Sequence, residues 1–318
     1  MTVAMSATEP EQGHRAEGRT GAAVVRVEHL SKSYGTRPAL VEVSFAIERG
    51  EVFGYLGPNG AGKTTTIRVL LGFLRASAGN AEIFGLDSWR DSTRIHQRVG
   101  YVPGEVTFWK HMTGRHLLGY LAALRGPTDL AYSEALAERL DLDLDQIVTT
   151  LSKGNRQKVA IVQALMSRPD LLILDEPTSG LDPLVQQEVH DLIREHAGRG
   201  GTVLLSSHVL SEVQRTANRI GIIRAGSVVA VERLDDLRAK ALHRVSARFA
   251  TAIDTGSIAR IEGVQDVSSD GTTVTCRAQQ RALDALIKEI AEHHVIDLSC
   301  EEAGLEEMFL AYYNEARG

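Results

Sequence analysis

The chain has 318 residues, of which 43% are hydrophobic and 24% are charged, and its formal net charge is −6. This composition is that of an ordinary globular protein with enough length for two domains. The acidic balance argues against broad nucleic-acid binding, which needs a basic face, so no nucleic-acid partner is expected. No apolar run approaches the roughly 18–20 residues of a membrane-spanning helix.

The first segment of the chain is polar and rich in glycine, and we expect residues 1–23 to form a disordered lead. It lacks the apolar stretch of a signal peptide. From residue 24 to about residue 237, short apolar strands alternate with amphipathic helices, which predicts an α/β domain. The runs at 24–30 and 40–47 look like its first strands.

Residues 57–64 carry the most specific pattern, GPNGAGKT, which fits the phosphate-binding loop G-x-x-x-x-G-K-[ST]. A predicted buried strand at 51–56 precedes it, and a predicted helix at 65–72 follows it. The glycines let backbone N–H groups turn toward phosphate oxygens at the positive end of the helix. Lys63 is expected to neutralise the β- and γ-phosphates, and the Thr64 hydroxyl is expected to hold Mg²⁺. The pattern predicts nucleoside triphosphate binding.

Between this loop and residue 171 the sequence is helix-rich, with helical spacing over 114–125 and 132–140. We expect a helical subdomain over about residues 105–167. Beyond it, the continuous apolar runs at 171–174 and 202–206 indicate strands that are covered on both faces.

Asp175 and Glu176 end the first of these two strands. Because a carboxylate at the carboxyl end of a parallel strand faces the ligand crevice, Asp175 is expected to bind Mg²⁺, directly or through water, opposite Thr64. Glu176 is expected to orient and polarise the attacking water. Standing alone, the segment would be read as a strand capped by two solvated acids, and the phosphate loop upstream decides against that interpretation.

The pattern changes near residue 240, and residues 240–318 predict a small accessory β-α-β-β-α-β module. Cys276 and Cys300 match no metal or redox spacing, so two reduced thiols are expected. The predicted elements are a strand (245–249), a helix (258–261), a hairpin around Asp270-Gly271, a helix (281–292), a strand (295–298) and a last helix (305–313).

With these motifs in order, residues 24–237 resemble the ATP-binding cassette (ABC) ATPases, the motor subunits of ABC transporters. The resemblance implies an α/β fold: a P-loop NTPase core of ABC-ATPase type with a helical subdomain, plus the small C-terminal α+β module. It implies ATP and Mg²⁺ as cofactors. The nucleotide-binding residues expected on this basis are Tyr34, Gly57, Asn59, Gly60, Ala61, Gly62, Lys63, Thr64 and Thr65.

Four further parts of the sequence occupy family positions. Residues 151–157 match the signature loop, and Asp182 in Ser-Gly-Leu-Asp matches the loop between paired sites. His208 matches the histidine that contacts the γ-phosphate, and Tyr34 matches the ring that stacks on adenine. Alone, Tyr34 fits a core ring, His208 a helix cap or core histidine, and the segment ending at Asp182 a plain turn; the order of the motifs decides against these interpretations jointly.

The chain departs from the family pattern at two places. The usual Leu-Ser-Gly-Gly-Gln signature has Lys153 and Asn155 here, but Ser152 and Gly154 remain, so we expect a working signature. The family's metal-contacting Gln is replaced by Gly104. The metal ligands expected are therefore Thr64 and Asp175, with Glu105 as a candidate for the lost contact.

The resemblance implies a homodimer or a paired nucleotide-binding subunit, because Ser152 and Gly154 complete the site in trans. Hydrolysis at Glu176 and His208 would reopen the pair. Integral membrane permease subunits would dock beside residues 104–125, and the protein would lie peripherally on the cytoplasmic face of the membrane. The C-terminal module is similar to tails on drug- and antibiotic-exporting subunits, which favours export of a small amphipathic compound.

Other classes of ATPase fit less well. Chromosome-maintenance members carry a long coiled coil, but residues 64–151 hold no sustained heptads. Translation-associated members carry two cassettes and DNA-repair members carry zinc cysteine clusters, whereas this chain has one phosphate loop and two cysteines. A P-loop kinase or GTPase is not supported, since the guanine-reading Asn-Lys-x-Asp motif is missing. A regulator tethered to a membrane sensor is not distinguished from an exporter motor.

Overall fold

The structure is a computed structural model, and it describes residues 23–108, 111–126, 129–240 and 242–301. The strands are β1 (Ala23–Tyr34), β2 (Arg37–Glu48), β3 (Val52–Leu56), β4 (Ala78–Ile83), β5 (Leu86–Asp87), β6 (Val99–Val102), β7 (Leu171–Asp175), β8 (Thr202–Ser207), β9 (Arg219–Arg224), β10 (Ser227–Arg233), β11 (Leu242–Phe249), β12 (Val264–Asp270), β13 (Thr273–Gln279) and β14 (Val295–Glu301). The helices are α1 (Lys63–Leu70), α2 (Ser92–His96), α3 (Gly114–Arg125), α4 (Leu130–Arg139), α5 (Lys153–Leu165), α6 (Pro183–Gly198), α7 (Leu210–Thr216), α8 (Leu234–Lys240), α9 (Gly256–Ala259) and α10 (Leu283–Ala291).

The central sheet positions the site. Within the described ranges it has the strand order β10-β9-β3-β8-β7-β6, and β3, β7 and β8 run parallel to one another. Every residue of these three strands is buried, as their continuous apolar sequences predict. Asp175 pairs with Ser206, and Leu56 pairs with Ser207. The carboxyl ends of the three strands therefore meet at one edge of the sheet.

A second, antiparallel sheet of order β2-β1-β4-β5 packs on one side of the central sheet. The contact is aromatic: the rings of Phe45 and Phe53 stack with centroids 5.3 Å apart, and Phe45 lies equally close to Tyr55. These large buried rings fix the position of β3, and hence the position of the loop that follows it.

Helices α3, α4 and α5 pack against one another, and hydroxyl or carboxylate side chains cap each of them. Thr113 accepts from the backbone N–H of His116 at α3, and Asp129 accepts from that of Tyr132 at α4. The helix-rich interval predicted after the phosphate loop holds helices chiefly in its second part, because residues 78–102 form β4, β5, α2 and β6. The strand β4 reads Ala-Gly-Asn-Ala-Glu-Ile, and such a polar strand gives little periodic signal.

Residues 242–301 form a third sheet, of order β12-β13-β11-β14, with neighbouring strands antiparallel. Phe249 packs in a core with Leu286 and Ile290 of α10. The elements follow the order β-α-β-β-α-β, with a short 3₁₀ turn at Gln280–Ala282 where the predicted helix was expected to begin. The domain boundaries stay a prediction. The predicted last helix (305–313), and the predicted lead except residue 23, lie outside the described residues.

None of the helices in the described ranges combines the length and the apolar character that crossing a membrane requires.

Candidate nucleotide site

The predicted phosphate loop connects β3 to α1. Gly60 and Gly62 have φ angles of 80° and 114°, which glycine adopts readily. A Cβ on Gly57 would lie 2.3 Å from the carbonyl oxygen of Ile223, so the close backbone approach excludes a side chain there. Within the described structure no side chain caps α1, and the N–H groups of its first turn are available to an anion.

Lys63 is buried beneath this loop. Its Nζ donates to the carbonyl oxygen of Gly57 at 2.6 Å and to that of Pro58 at 3.3 Å. The same atom lies 3.2 Å from Oε1 of Glu176. The ammonium group is therefore held at the inner surface of the loop, where a buried charge requires such partners.

Thr64 and Asp175 are brought together as predicted for a magnesium site. The hydroxyl of Thr64 donates to Oδ2 of Asp175 at 2.7 Å, and the hydroxyl of Ser206 donates to Oδ1 at 2.6 Å. Hydroxyl and carboxylate oxygens are the ligands that Mg²⁺ prefers, so this donor set fits the ion. Burial and the charge of Asp175 raise the pKa of the nearby Tyr101 to about 12, which keeps that phenol neutral.

Gly104 lies beside this carboxylate. A Cβ built on it would be 3.5 Å from Oδ2 of Asp175, which is ordinary van der Waals contact. The position therefore has room for a side chain next to the predicted metal ligands. Glu105 is exposed, and among the described residues no contact joins it to Thr64 or Asp175.

Glu176 and His208 are in direct contact. His208 Nδ1 lies 2.6 Å from Oε2 of Glu176, and since a carboxylate only accepts, Nδ1 carries the proton. Glu176 has a φ of 52°, an uncommon conformation for a non-glycine residue, and its N–H donates to the carbonyl oxygen of Ser206 at 3.0 Å. Its Oε1 is buried with no hydrogen bond in the described structure, and only the Lys63 ammonium lies near it.

Lys63, Thr64 and Glu176 border a cavity of about 220 Å³. Its lining consists of Ala39, Pro58, Asn59, Gly60, Gly62, Lys63, Thr64, Thr65 and Glu176. Ala39 was missed by sequence reasoning, since it belongs to a strand without a motif. Tyr34 lies outside this lining: its ring is 49% exposed, with Lys32 Nζ 5.5 Å from the ring centroid.

The predicted signature residues lie at the start of α5. Ser152 caps the helix by accepting from the N–H of Asn155 at 3.2 Å, and Lys153 Nζ donates to the Ser179 hydroxyl at 3.0 Å. A Cβ on Gly154 would lie 2.7 Å from the carbonyl oxygen of Gly180. The signature thus packs on the 177–180 turn of its own chain, and none of its residues lines the cavity.

Asp182 caps α6. Its Oδ1 accepts from the N–H groups of Leu184 and Val185, each at 3.1 Å, and Pro183 occupies the first turn. These backbone hydrogen bonds hold the pKa of the exposed Asp182 carboxyl below its usual range. The contacts within one chain therefore give Asp182 a structural role at the helix start.

Sequence reasoning also missed a group of polar residues behind the site. Glu212 of α7 accepts hydrogen bonds from Thr178 and Ser207, which follow β7 and end β8 respectively. The sequence indicates this role of Glu212 only weakly, because a glutamate in the first turn of a helix, here four residues after His208, is a common helix-start pattern.

Comparison with known proteins places this geometry in a family. A sequence profile described as ABC transporter matches residues 40–179. The chain is 38% identical over 221 residues to the daunorubicin resistance ATP-binding protein DrrA3 of Streptomyces coeruleorubidus, covering 68% of this chain and 70% of that protein. It is 29% identical over 307 residues to the linearmycin resistance ATP-binding protein LnrL of Bacillus subtilis, covering 90% and 97%.

A longer relative is the probable multidrug ABC transporter ATP-binding protein YbhF of Escherichia coli, 34% identical over 232 residues. The match covers 71% of this chain, which spans 40% of the length of YbhF.

Among solved structures, an ATP-binding subunit of an ABC transporter is 31% identical, with a TM-score of 0.64, covering 68% of this chain and 92% of that one. A bacterial Atm1-family ABC exporter with ATP bound is 25% identical, with a TM-score of 0.61, covering 69% and 40%. The predicted α/β P-loop core is confirmed. The chain belongs to the family of ABC transporter ATP-binding proteins.

Proposed function

We propose that this protein binds and hydrolyses ATP as the motor subunit of an ABC transporter, and that it powers export of a small amphipathic or antibiotic-like compound through separate membrane subunits. One observation carries the proposal. Lys63, Thr64, Asp175, Glu176 and His208 meet at one edge of the central sheet, in a chain of this family.

The phosphate loop is proposed to hold the nucleotide. Its backbone N–H groups and the N-terminus of α1 would bind the phosphate oxygens, and Lys63 would neutralise their charge. Thr64 and Asp175 would hold Mg²⁺, which offsets phosphate charge when it is bound. Asp175 is suited to this role because Ser206 fixes its second oxygen at 2.6 Å.

Glu176 and His208 are proposed to act on the γ-phosphate. Water attacks the phosphorus, the bond to the β-phosphate oxygen breaks, and ADP leaves with that oxygen. Glu176 orients and polarises this water. His208 steadies Glu176 through Nδ1, and Nε2 would donate to a γ-phosphate oxygen in the imidazolium form, in which both ring nitrogens carry protons.

The proposed functional unit is a pair of cassettes. The cavity is lined by the phosphate loop, Ala39 and Glu176, whereas Ser152 and Gly154 pack elsewhere on the same chain. Ser152 of the partner subunit and the partner's Gly154 would therefore complete each site. ATP would favour the closed pair because it contacts both chains only in that state.

The proposed membrane contact lies beside the site. A half-open cavity of about 380 Å³ lies next to residues 104–125, between the end of β6 and helix α3. Val106, Phe108, Leu117 and Leu121 contribute apolar side chains to its lining. A cytoplasmic helix of a permease subunit would seat its apolar face there, so that motion near Gly104 is transmitted to the membrane. This contact would hold the protein on the cytoplasmic face.

The proposed cargo class rests on relatives. Linearmycin and daunorubicin resistance appear in the names of two proteins that this chain resembles. Because the match to LnrL extends over 90% of this chain, it includes most of the C-terminal module. An antibiotic-like cargo is therefore proposed for this protein too.

Co-purification from membranes tests the proposal. Tagged protein is extracted in mild detergent, and we expect a multi-span protein to stay bound and the ATPase rate to change on its removal. Phe108→Glu should release the protein from membranes. Leu124→Glu is the control and should not release it, because Leu124 is 65% exposed and does not line the cavity. A wholly soluble protein that brings down ribosomes or DNA-associated proteins would contradict the transport role.

A further inference from the structure

Glu212 joins two segments that each carry a residue of the candidate site. Its Oε1 accepts from the Thr178 hydroxyl at 2.6 Å, and its Oε2 accepts from the Ser207 hydroxyl at 2.6 Å. Both partners are almost fully buried, Thr178 with 4% and Ser207 with 0% of its surface exposed. Short hydrogen bonds from hydroxyls to an ionised carboxylate are about twice as strong as neutral ones, and water does not compete for buried partners.

The two partners hold the ends of adjacent strands. Thr178 lies two residues after Glu176, and Ser207 directly precedes His208. Ser207 is further fixed by the N–H of Val209, which donates to its hydroxyl at 2.9 Å. The carbonyl oxygen of Ser207 also accepts from the N–H of Gly57 at 3.2 Å, which joins the same point to the phosphate loop.

Only a carboxylate satisfies both hydroxyls as acceptor. A glutamine could accept from one of them, but its amide nitrogen would face the other as a donor. The Ser207 hydroxyl already accepts from the N–H of Val209, and its proton lies closer to Glu212 Oε2, at 2.6 Å, than to the carbonyl oxygen of Val209, at 3.4 Å. Replacing Glu212 by glutamine would therefore remove one charge-assisted hydrogen bond and loosen one strand end relative to the other. The side-chain volume at this position would stay nearly the same.

We propose that Glu212 is a positioning residue that keeps Glu176 and His208 in register across the ends of β7 and β8. This inference rests on the proposed function, since it concerns hydrolysis at that site. Glu212 is absent from the lining of the nucleotide cavity, so it acts through the segments it joins. A misplacement of catalytic groups by about 1 Å can cost on the order of 100-fold in rate.

Steady-state kinetics of Glu212→Gln test the proposal. We expect kcat to fall about 30-fold while KM for ATP stays within about threefold, since no residue of the phosphate loop is changed. Ser207→Ala should have a similar effect, and the double variant should be no slower than the worse single variant, because both changes break one connection. The proposal would be overturned if kcat of Glu212→Gln stayed within twofold of wild type, or if kcat and KM changed equally. It would also be overturned if the losses of kcat in the two single variants multiplied in the double variant.

Glu51→Gln is the matched control. Glu51 is likewise a carboxylate with two partners, the N–H of Glu48 at 2.7 Å and Arg219 Nη1 at 3.0 Å, but it precedes β3 at the opposite end of the strand. We expect this variant to lose stability while keeping kcat per folded molecule. A fall in kcat equal to that of Glu212→Gln would mean that any carboxylate with two such partners matters, and the positioning role would be wrong.

A readout without turnover separates this proposal from the proposed function. The imidazole signal of His208, identified by its loss in His208→Ala, should shift in the NMR spectrum of Glu212→Gln and stay in place in Glu51→Gln. An unshifted signal in Glu212→Gln contradicts the positioning role. If wild type shows no ATP turnover, the proposed function fails, and the imidazole signal still decides the role of Glu212.

Discussion

The carboxylate of Glu176 lies between two cationic or hydrogen-donating groups from different elements: His208 Nδ1 is 2.6 Å from one oxygen, and Lys63 Nζ is 3.2 Å from the other. Lys63 belongs to α1, and His208 follows β8, so three segments converge on one side chain. A carboxylate with both oxygens directed in this way has little rotational freedom. The γ-phosphate of a bound nucleotide would meet the ammonium group of Lys63 as well.

Glu176→Gln is expected to separate binding from hydrolysis. The amide keeps the shape of the side chain but is a poor base and a weaker orienting group for water, so kcat should fall by about 100-fold or more. ATP affinity, measured by equilibrium titration, should stay within about threefold. Glu138→Gln, an exposed glutamate on α4, serves as the control and should turn over normally. Near-normal turnover of Glu176→Gln would remove Glu176 from the catalytic role.

Lys63→Ala is expected to weaken ATP binding. Removing a charged donor to phosphate costs roughly 1.5–3 kcal/mol, or about 10- to 100-fold in Kd. The measurement is titration with a fluorescent ATP analogue, accompanied by a melting curve, because the change also leaves Glu176 without its cation. A Kd within threefold of wild type, in protein that is still folded, would show that the loop does not use Lys63 for phosphate.

Gly104→Gln is expected to lower the Mg²⁺ requirement. The glycine has room for a side chain 3.5 Å from Asp175, and an amide oxygen there adds a hard ligand next to Thr64 and Asp175. The Mg²⁺ concentration for half-maximal ATPase activity should fall several-fold. Gly104→Ala, which adds only a methyl group, should leave it unchanged. An unchanged requirement in Gly104→Gln would place the metal away from this position.

Acidification is expected to destabilise the fold through two buried histidines of α6. Burial lowers the pKa values of His190 and His196 below the value of about 6.5 for an unfolded histidine. The unfolded chain therefore binds more protons, so stability falls as the pH drops through that value. Between pH 7.5 and 5.5 the loss is at most about 1.4 kcal/mol per histidine.

Urea unfolding at the two pH values measures this loss. The doubly substituted protein with His190→Gln and His196→Gln should show a smaller change of the unfolding free energy than wild type. A wild-type stability that is unchanged or higher at pH 5.5 would contradict the burial of these imidazoles in their neutral form.

The chain shows which parts of a site can be predicted from sequence. The phosphate loop and the pair Asp175–Glu176 were found because their residues are contiguous and follow buried strands. The bonds from Glu212 to Thr178 were not, because 34 residues separate the two and no local pattern records which strands become neighbours. The packing of Lys153 against Ser179 was missed for the same reason.

Some strands and helices could likewise be predicted from the sequence, and others could not. Strands β3, β7 and β8 were predicted from continuous apolar runs, since burial on both faces removes the polar alternation. Strands β4 and β5 were not, because their sequences contain no continuous apolar run. The short helix α2 gave no signal either, having one buried residue, Ile95.

The most direct test is the oligomeric state of Glu176→Gln protein by analytical ultracentrifugation. With saturating ATP and Mg²⁺ we expect a dimer, and with ADP a monomer, because only ATP supplies the γ-phosphate that Ser152 of the partner subunit would contact. Adding Ser152→Arg should keep ATP binding and abolish the dimer. A protein that binds ATP yet stays monomeric, or that dimerises equally with ADP, would contradict the paired, ATP-driven motor.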